Sequence, residues 1–249
     1  MEELRGSVQD SESVGQVAYR RIRGDIIFGR LAPGQKLKLE VLREDYGASI
    51  STLRELLSRL VSEGFVVAEG HRGFEVAPVS PDNLKDIAAM RILLEIHAME
   101  QSFKSGDMEW EGRVVSAHHK LALMEKRMMA GDRSDNETWK RYDWEFHRAL
   151  ISACGSNTLL ETHGAIFDKY LRYQMIALTF RGEIAAREHR QMMEAALKRD
   201  AQAARRVLID HINAGVDDAL KQGTVAGPRA GRTSQGESPP RRTPTKRIA

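Results

Sequence analysis

Apolar positions change their period several times within residues 14–78. Val17, Ile22, Ile26 and Ile27 fall on one face of a first helix that ends near Gly29. Leu31, Pro33 and Gly34 make a turn, and residues 40–46 form a short helix with Val41 and Leu42 facing in. Residues 47–49 break it, with Gly47 supplying a positive φ near the helix C-cap. From Ser51 onward, Leu53, Leu56, Leu57, Leu60 and Val61 mark a third helix that ends at Gly64. Residues 65–68 and 74–77 then read as two strands of a hairpin around residues 69–73. Helix, short helix, tight turn, helix and hairpin is the order of a winged helix-turn-helix.

Proline usage separates this unit from the rest of the chain. Of the seven prolines, none falls in the 146 residues between Pro81 and Pro228. An interior proline costs a helix about 3 kcal/mol, so this gap permits a long all-helical region. The pattern predicts a mainly α chain with a winged helix-turn-helix over 14–78, an antiparallel helical bundle over 82–222, and disordered segments over 1–13 and 223–249.

Composition narrows the class. Hydrophobic residues make up 41% and charged residues 29%, which suits a globular protein with a sizeable core. The longest apolar runs are four residues, against the roughly 20 a membrane-spanning helix needs. Residues 1–13 are polar and acidic, with no apolar stretch of the kind that directs export. The single cysteine, Cys154, excludes a disulfide framework and any multi-cysteine zinc site. A soluble cytoplasmic protein is expected. The net charge of +3 is unevenly spread: residues 223–249 carry six basic side chains against Glu237, so the high isoelectric point belongs mostly to that tail.

A winged unit binds double-stranded DNA by placing its third helix in the major groove, with polar residues at the helix N-terminus against base edges. Ser49, Ser51, Thr52 and Arg54 occupy that end, Lys38 precedes the second helix, and Arg72 and Gly73 lie at the hairpin tip, within reach of a phosphate or the minor groove. A helical packing module with incidental surface arginines would give the same pattern.

Several polar residues interrupt apolar stripes in the helical region. Asp143 and His147 stand four apart within the stripe Trp139, Tyr142, Phe146, Leu150, Ile151 and Cys154. An ionised aspartate buried alone costs several kcal/mol, whereas Asp and His at this spacing can share a divalent ion. His189 aligns with Ala185, Met192, Met193 and Ala196, and His211 with Ala204, Leu208, Ile212 and Gly215. Asp200 is a natural N-cap between those two helices. His189 lies eleven residues before it and His211 eleven after, which sets them level in an antiparallel hairpin. Asp143, His147, His189 and His211 are therefore a candidate site for Zn, with Ni, Fe or Mn as alternatives. The competing explanation is that each inward histidine is an ordinary hydrogen-bonded core residue. His71, His97, His118, His119 and His163 show no comparable convergence and read as structural or surface groups.

Arg91 shares a face with Leu84, Ile87, Leu94 and Ala98, so its guanidinium points into apolar surroundings and needs an anion. That anion is either the carboxylate of a bound effector or an internal partner such as Glu95.

Three runs in the N-terminal region, Leu31-Ala-Pro-Gly-Gln-Lys-Leu37, Tyr46-Gly-Ala-Ser49 and Leu53-Arg-Glu-Leu-Leu-Ser-Arg-Leu-Val-Ser-Glu-Gly64, resemble the GntR family of bacterial transcription factors. Arg72-Gly-Phe-Glu-Val76 is similar to that family's wing. Arg54 matches an arginine of the family's recognition helix, while Ile50 and Glu40 stand where the family commonly has arginines. Base reading by Lys38, Ser49, Ser51 and Thr52 is what this departure implies. Tyr142-Asp-Trp-Glu-Phe-His147, Glu188-His189 and the spacing to His211 resemble the metal motif in the FadR-type branch, whose helical effector (FCD) domains are bundles of six or seven helices that usually bind small organic acids. The resemblance implies a dimeric, ligand-responsive repressor released from operator DNA by a small carboxylate, best guessed as a short dicarboxylate. Two other functions fit the same residues: a metal-dependent hydrolase with an accessory winged domain, and a metal-sensing regulator without an organic ligand. Against the hydrolase, the chain lacks H-E-x-x-H, and Glu188 points about 100° away from His189 on the helix.

Overall fold

The computed structural model describes residues 12–70, 73–178 and 180–225. Arg72, residues 1–11 of the expected N-terminal segment and residues 226–249 of the expected tail lie outside them.

Helix α1 (Val14–Ile27) starts on Ser13, which accepts the Gln16 amide at 3.2 Å while the Gln16 side chain accepts the Ser13 amide at 3.0 Å. This reciprocal box satisfies donors that a helix start leaves unpaired. The buried stripe is Ala18, Ile22, Ile26 and Ile27. Val17, expected to face in, is 38% exposed, because the i, i+4 repeat that meets the core runs through Ala18. Helix α2 (Leu39–Tyr46) ends on Gly47 at φ 67, a left-handed conformation that glycine adopts without strain. Leu42 and Tyr46 are its buried residues, and Val41 turns out to be half exposed rather than inward. Helix α3 (Ile50–Ser62) buries Leu53, Leu57 and Leu60, with Leu56 and Val61 only partly covered.

The wing contains one more strand than the hydrophobic pattern predicted. Strand β1 (Lys36–Leu37) joins β2 (Val66–Ala68) and β3 (Phe74–Val76) in an antiparallel sheet of order β1-β3-β2. Leu37 pairs with Phe74, and Val66 with Val76. Two residues carry no period of their own, so β1 has no signature in the hydrophobic pattern.

Six helices complete the fold: α4 (Pro81–Ser105), α5 (Met108–Met129), α6 (Asn136–Ile151), α7 (Asn157–Ala177), α8 (Glu183–Leu197) and α9 (Ala201–Lys221). Pro81 sits in the first turn of α4 behind the Ser80 cap, where a missing N–H costs nothing. Asp200 caps α9 by accepting the Ala203 amide at 2.9 Å. Helix α5 packs on α6 and α8, α4 on α7 and α9, and α8 on α9, so the six enclose one apolar core. No helix among the described residues is long and apolar enough to cross a membrane.

Helix α7 belongs to two cores. Tyr170, Tyr173 and Ala177 pack in the bundle, while Phe167, Leu171 and Met175 pack among Ile22, Leu57 and Phe65 of the winged unit. At the same junction Asp168 pairs with Arg23 of α1 at 2.8 Å.

Close packing leaves no room for a side chain at Gly215. A Cβ on Gly215 would stand 2.5 Å from the Tyr170 hydroxyl, which donates to the Ile212 carbonyl at 3.1 Å. Gly215→Ala should cost about 1–3 kcal/mol by overpacking. Gly112→Ala, on the exposed side of α5 with nothing within 4 Å, should instead add about 0.5–1 kcal/mol of helix stability. Denaturant midpoints of the two variants check both signs.

Candidate metal centre and DNA-reading helix

At the start of α3, Ser49 caps the helix by accepting the Thr52 amide at 3.2 Å. Its hydroxyl also lies 2.9 Å from those of Ser51 and Thr52. The Ser49 hydroxyl thus links to both of the others across the helix N-terminus. Arg54, one turn on, is exposed and forms no ion pair among the described residues. Lys38 is exposed at the N-cap of α2. Gly73, exposed at φ 99, closes the hairpin by accepting the Glu69 amide at 2.9 Å. The expected role of Arg72 falls outside the described residues.

In the bundle, Asp143 and His147 of α6, His189 of α8 and His211 of α9 come together. Each offers a ligand atom within 4.8 Å of the others, and all four are buried. The imidazole centroids are 5.7 Å apart for His147 and His189, 5.3 Å for His147 and His211, and 4.7 Å for His189 and His211. Asp143 Oδ1 stands 3.3 Å from His189 Nε2 and 3.8 Å from His147 Nε2.

What surrounds the imidazoles decides which nitrogen is free. Each Nδ1 meets a carboxylate: His147 meets Glu95, His189 meets Glu125 at 2.6 Å, and His211 meets Glu188 at 2.8 Å. A ring that donates from Nδ1 presents the Nε2 lone pair. The Nε2 atoms of His147 and His189 are buried without a hydrogen-bond partner. Metal-binding histidines have this arrangement, with an outer carboxylate fixing tautomer and ring angle. An isolated core histidine would instead use both nitrogens. Arg181 donates to the Glu188 carboxylate at 2.7 Å and the His211 carbonyl at 3.2 Å, and its Nη2 also lies 2.9 Å from His211 Nδ1, so the guanidinium, the carboxylate and the imidazole form one cluster.

Electrostatics favour a cation here. Burial opposes charge on Glu95, yet Arg91 beside it, with His147, holds its carboxyl well below the usual range. Asp143 is also held well below its usual range against burial, by Lys140 and the neighbouring imidazoles. Burial pushes His147 down and His211 further down. At His189 burial is outweighed by Asp143 and Glu125, and its pKa rises to about 9. Four carboxylates (Glu95, Glu125, Asp143, Glu188) face three fixed cations (Arg91, Lys140, Arg181), and the proton on His189 supplies the fourth positive charge, which a divalent ion would displace.

Arg91 lies beside this cluster. Its Nε donates to Glu95 at 2.9 Å, the internal ion pair that the sequence left open, and the guanidinium stacks over Phe167 and Tyr170. One terminal nitrogen, Nη2, is buried without a partner. Lys140 bridges Asp143 and Gln174, at 3.3 and 2.5 Å. His163, read from sequence as structural or surface, is buried and bonds Glu95 at 3.1 Å. Glu188, which the helical wheel turned away from His189, serves His211 on the neighbouring helix instead. Glu95 and Glu125 carried a usable signal: each is a lone carboxylate inside an apolar stripe, of α4 and α5 respectively.

Comparison with known proteins places this geometry. Residues 15–76 match the family described as bacterial regulatory proteins, gntR family, and residues 86–214 match the FCD domain. The chain is 38% identical over 213 residues to the HTH-type transcriptional regulator BphR of Paraburkholderia xenovorans, covering 84% of this chain and 86% of that one. It is 31% identical over 204 residues to the HTH-type transcriptional repressor GlaR of Escherichia coli, covering 78% and 90%. Among solved structures, McbR/YncC of E. coli superposes with a TM-score of 0.72 at 20% identity, over 85% of this chain and 99% of that one. These relatives are regulators rather than enzymes.

Glu125 supplies an outer carboxylate without being a ligand candidate itself. Glu125→Gln should therefore lower zinc affinity roughly 10–100-fold, leaving all four candidate ligands in place. Competition against a chromophoric chelator measures it.

Proposed function

The chain belongs to the GntR family of bacterial transcriptional regulators, with an FCD domain behind its winged helix-turn-helix, and from that premise we propose that it is a cytoplasmic, dimeric repressor whose grip on operator DNA is released by a small carboxylate bound near a metal in the bundle. The observation that carries the reading is the matched set of three imidazoles, each with Nδ1 held by its own carboxylate. Asp143, His147, His189 and His211 would hold a divalent ion, zinc before nickel, iron or manganese. Four protein ligands leave room on a larger coordination sphere, and the ion would supply Lewis acidity toward an effector carboxylate. A short dicarboxylate suits the cationic groups nearby, with Arg91 Nη2 buried and unpartnered and Lys140 in contact with Asp143. Domain limits of 14–78 and 82–222 belong to the same reading.

Helix α7 offers a physical link between effector and DNA. Phe167 packs in the winged unit's core, yet its ring lies 5.8 Å from the His147 ring and 4.3 Å below the Arg91 guanidinium. A ligand that moves Arg91 or His147 bears on the residue that seats α1 and α3. Such a shift changes operator affinity only through unequal binding to two arrangements of the dimer.

Two experiments test the proposal. Arg54→Ala should weaken operator binding by about 1–3 kcal/mol if it reads a base, or lower the salt slope if it meets phosphate. An unchanged gel-shift titration of folded protein counts against it. His189→Ala and His211→Ala should each lower metal content, melting temperature and effector response together. Metal addition that changes DNA affinity with no C4–C6 acid present favours the metal-sensing reading instead.

A further inference from the structure

A second cleft, of about 260 Å³, opens where the winged unit meets the bundle. It is walled by Phe65 behind α3, Ile87 and Met90 of α4, and Ile166, Lys169 and Arg172 of α7. Arg172 is the unusual member. It is 4% exposed, and one terminal nitrogen donates to the Ala77 carbonyl in the segment joining the two units. Its Nε is buried without a partner, and among the described residues no carboxylate comes within 4.0 Å of its guanidinium. Every other arginine buried to this degree among the described residues, which is to say Arg91, has its carboxylate. A buried guanidinium without an anion bears a desolvation cost that the rest of this bundle avoids.

Lys169 lines the same cleft and forms no ion pair among the described residues, and Asp86 is the single acidic residue there. Two cations against one carboxylate leave a positive pocket with apolar walls. Burial pulls the Arg172 guanidinium down to about 10, with only the Tyr173 phenol opposing. A bound carboxylate would remove that penalty.

We propose that this cleft is a second ligand site, for a small organic monoanion whose carboxylate meets Arg172 and Lys169 and whose apolar body lies on Phe65, Ile87, Met90 and Ile166. It is separate from the imidazole cluster and does not depend on the metal. Its position gives it leverage: a ligand there would touch the turn that follows the DNA-reading helix, the joining segment and α7 at once.

Benzoate and butanoate serve as probes, titrated into the full-length protein by calorimetry and thermal shift, with sulfate for comparison. Saturable millimolar binding of either acid, tighter than sulfate, is expected. Arg172→Gln should weaken it by roughly tenfold or more, as loss of a charge-assisted hydrogen bond implies. Binding that survives Arg172→Gln overturns the assignment, as does the absence of saturable binding or a preference for sulfate. Should Arg172→Gln fail to fold, the partly buried Lys169 is changed instead, as Lys169→Gln; weaker binding in that variant supports the site and unchanged affinity overturns it.

Discussion

Burying ionisable groups between helices costs several kcal/mol apiece unless each finds a partner, and the bundle's interior is organised around that constraint. Asp143, His147, His189 and His211 occupy the heart of the bundle core, where leucine would pack more simply. Around them stand Glu95, Glu125 and Glu188, each on a different helix; Arg91 pairs with Glu95, Arg181 with Glu188 and Lys140 with Asp143, while Glu125 meets His189. Helices α4, α5, α6, α8 and α9 all contribute a member. Their relative positions are thus fixed by polar geometry as well as by apolar packing. Among the atoms of this network left without a partner, the Nε2 of His147 and of His189 face the same small volume. A divalent ion there would take the place of the His189 proton and satisfy both Nε2 atoms.

The same network reaches the DNA-reading unit through α7. That helix supplies apolar side chains to both cores, with Phe167 placed against the imidazole cluster on one side and the winged unit on the other. Arg23 of α1 ties to Asp168 of α7 and to Glu63 beyond α3, which fixes the angle between the two units with ion pairs that are only partly screened. The imidazole cluster and the winged unit's core therefore meet at one element, so a repacking of α7 bears on both.

The period of the apolar positions carried most of the architecture, because residues such as Ile22, Leu53 and Leu60 repeat at helical spacing and are fully buried. It failed where that spacing was ambiguous, as at Val17 and Val41, whose neighbours Ala18 and Leu42 take the inward face. It had nothing to say of β1, which is two residues long and exists through its partner β3. The four ligand candidates were visible as polar breaks in apolar stripes, and an equal count from Asp200 set His189 level with His211. Their carboxylate partners were harder to see. Glu188 lies beside His189 in sequence but serves His211, a pairing that exists only once α8 and α9 are packed together. Arg172 and its cleft depend on three segments far apart in sequence, and no local pattern announces them.

Diffraction from crystals of the purified protein, recorded at the absorption edges of zinc, nickel, iron and manganese, addresses the central claim most directly. One anomalous peak is expected among Asp143, His147, His189 and His211, with Nε2 ligands at about 2.0–2.2 Å and every Nδ1 still on its carboxylate. Protein crystallised with excess zinc that shows no peak there, its Nε2 atoms hydrogen-bonded to other groups, would contradict it.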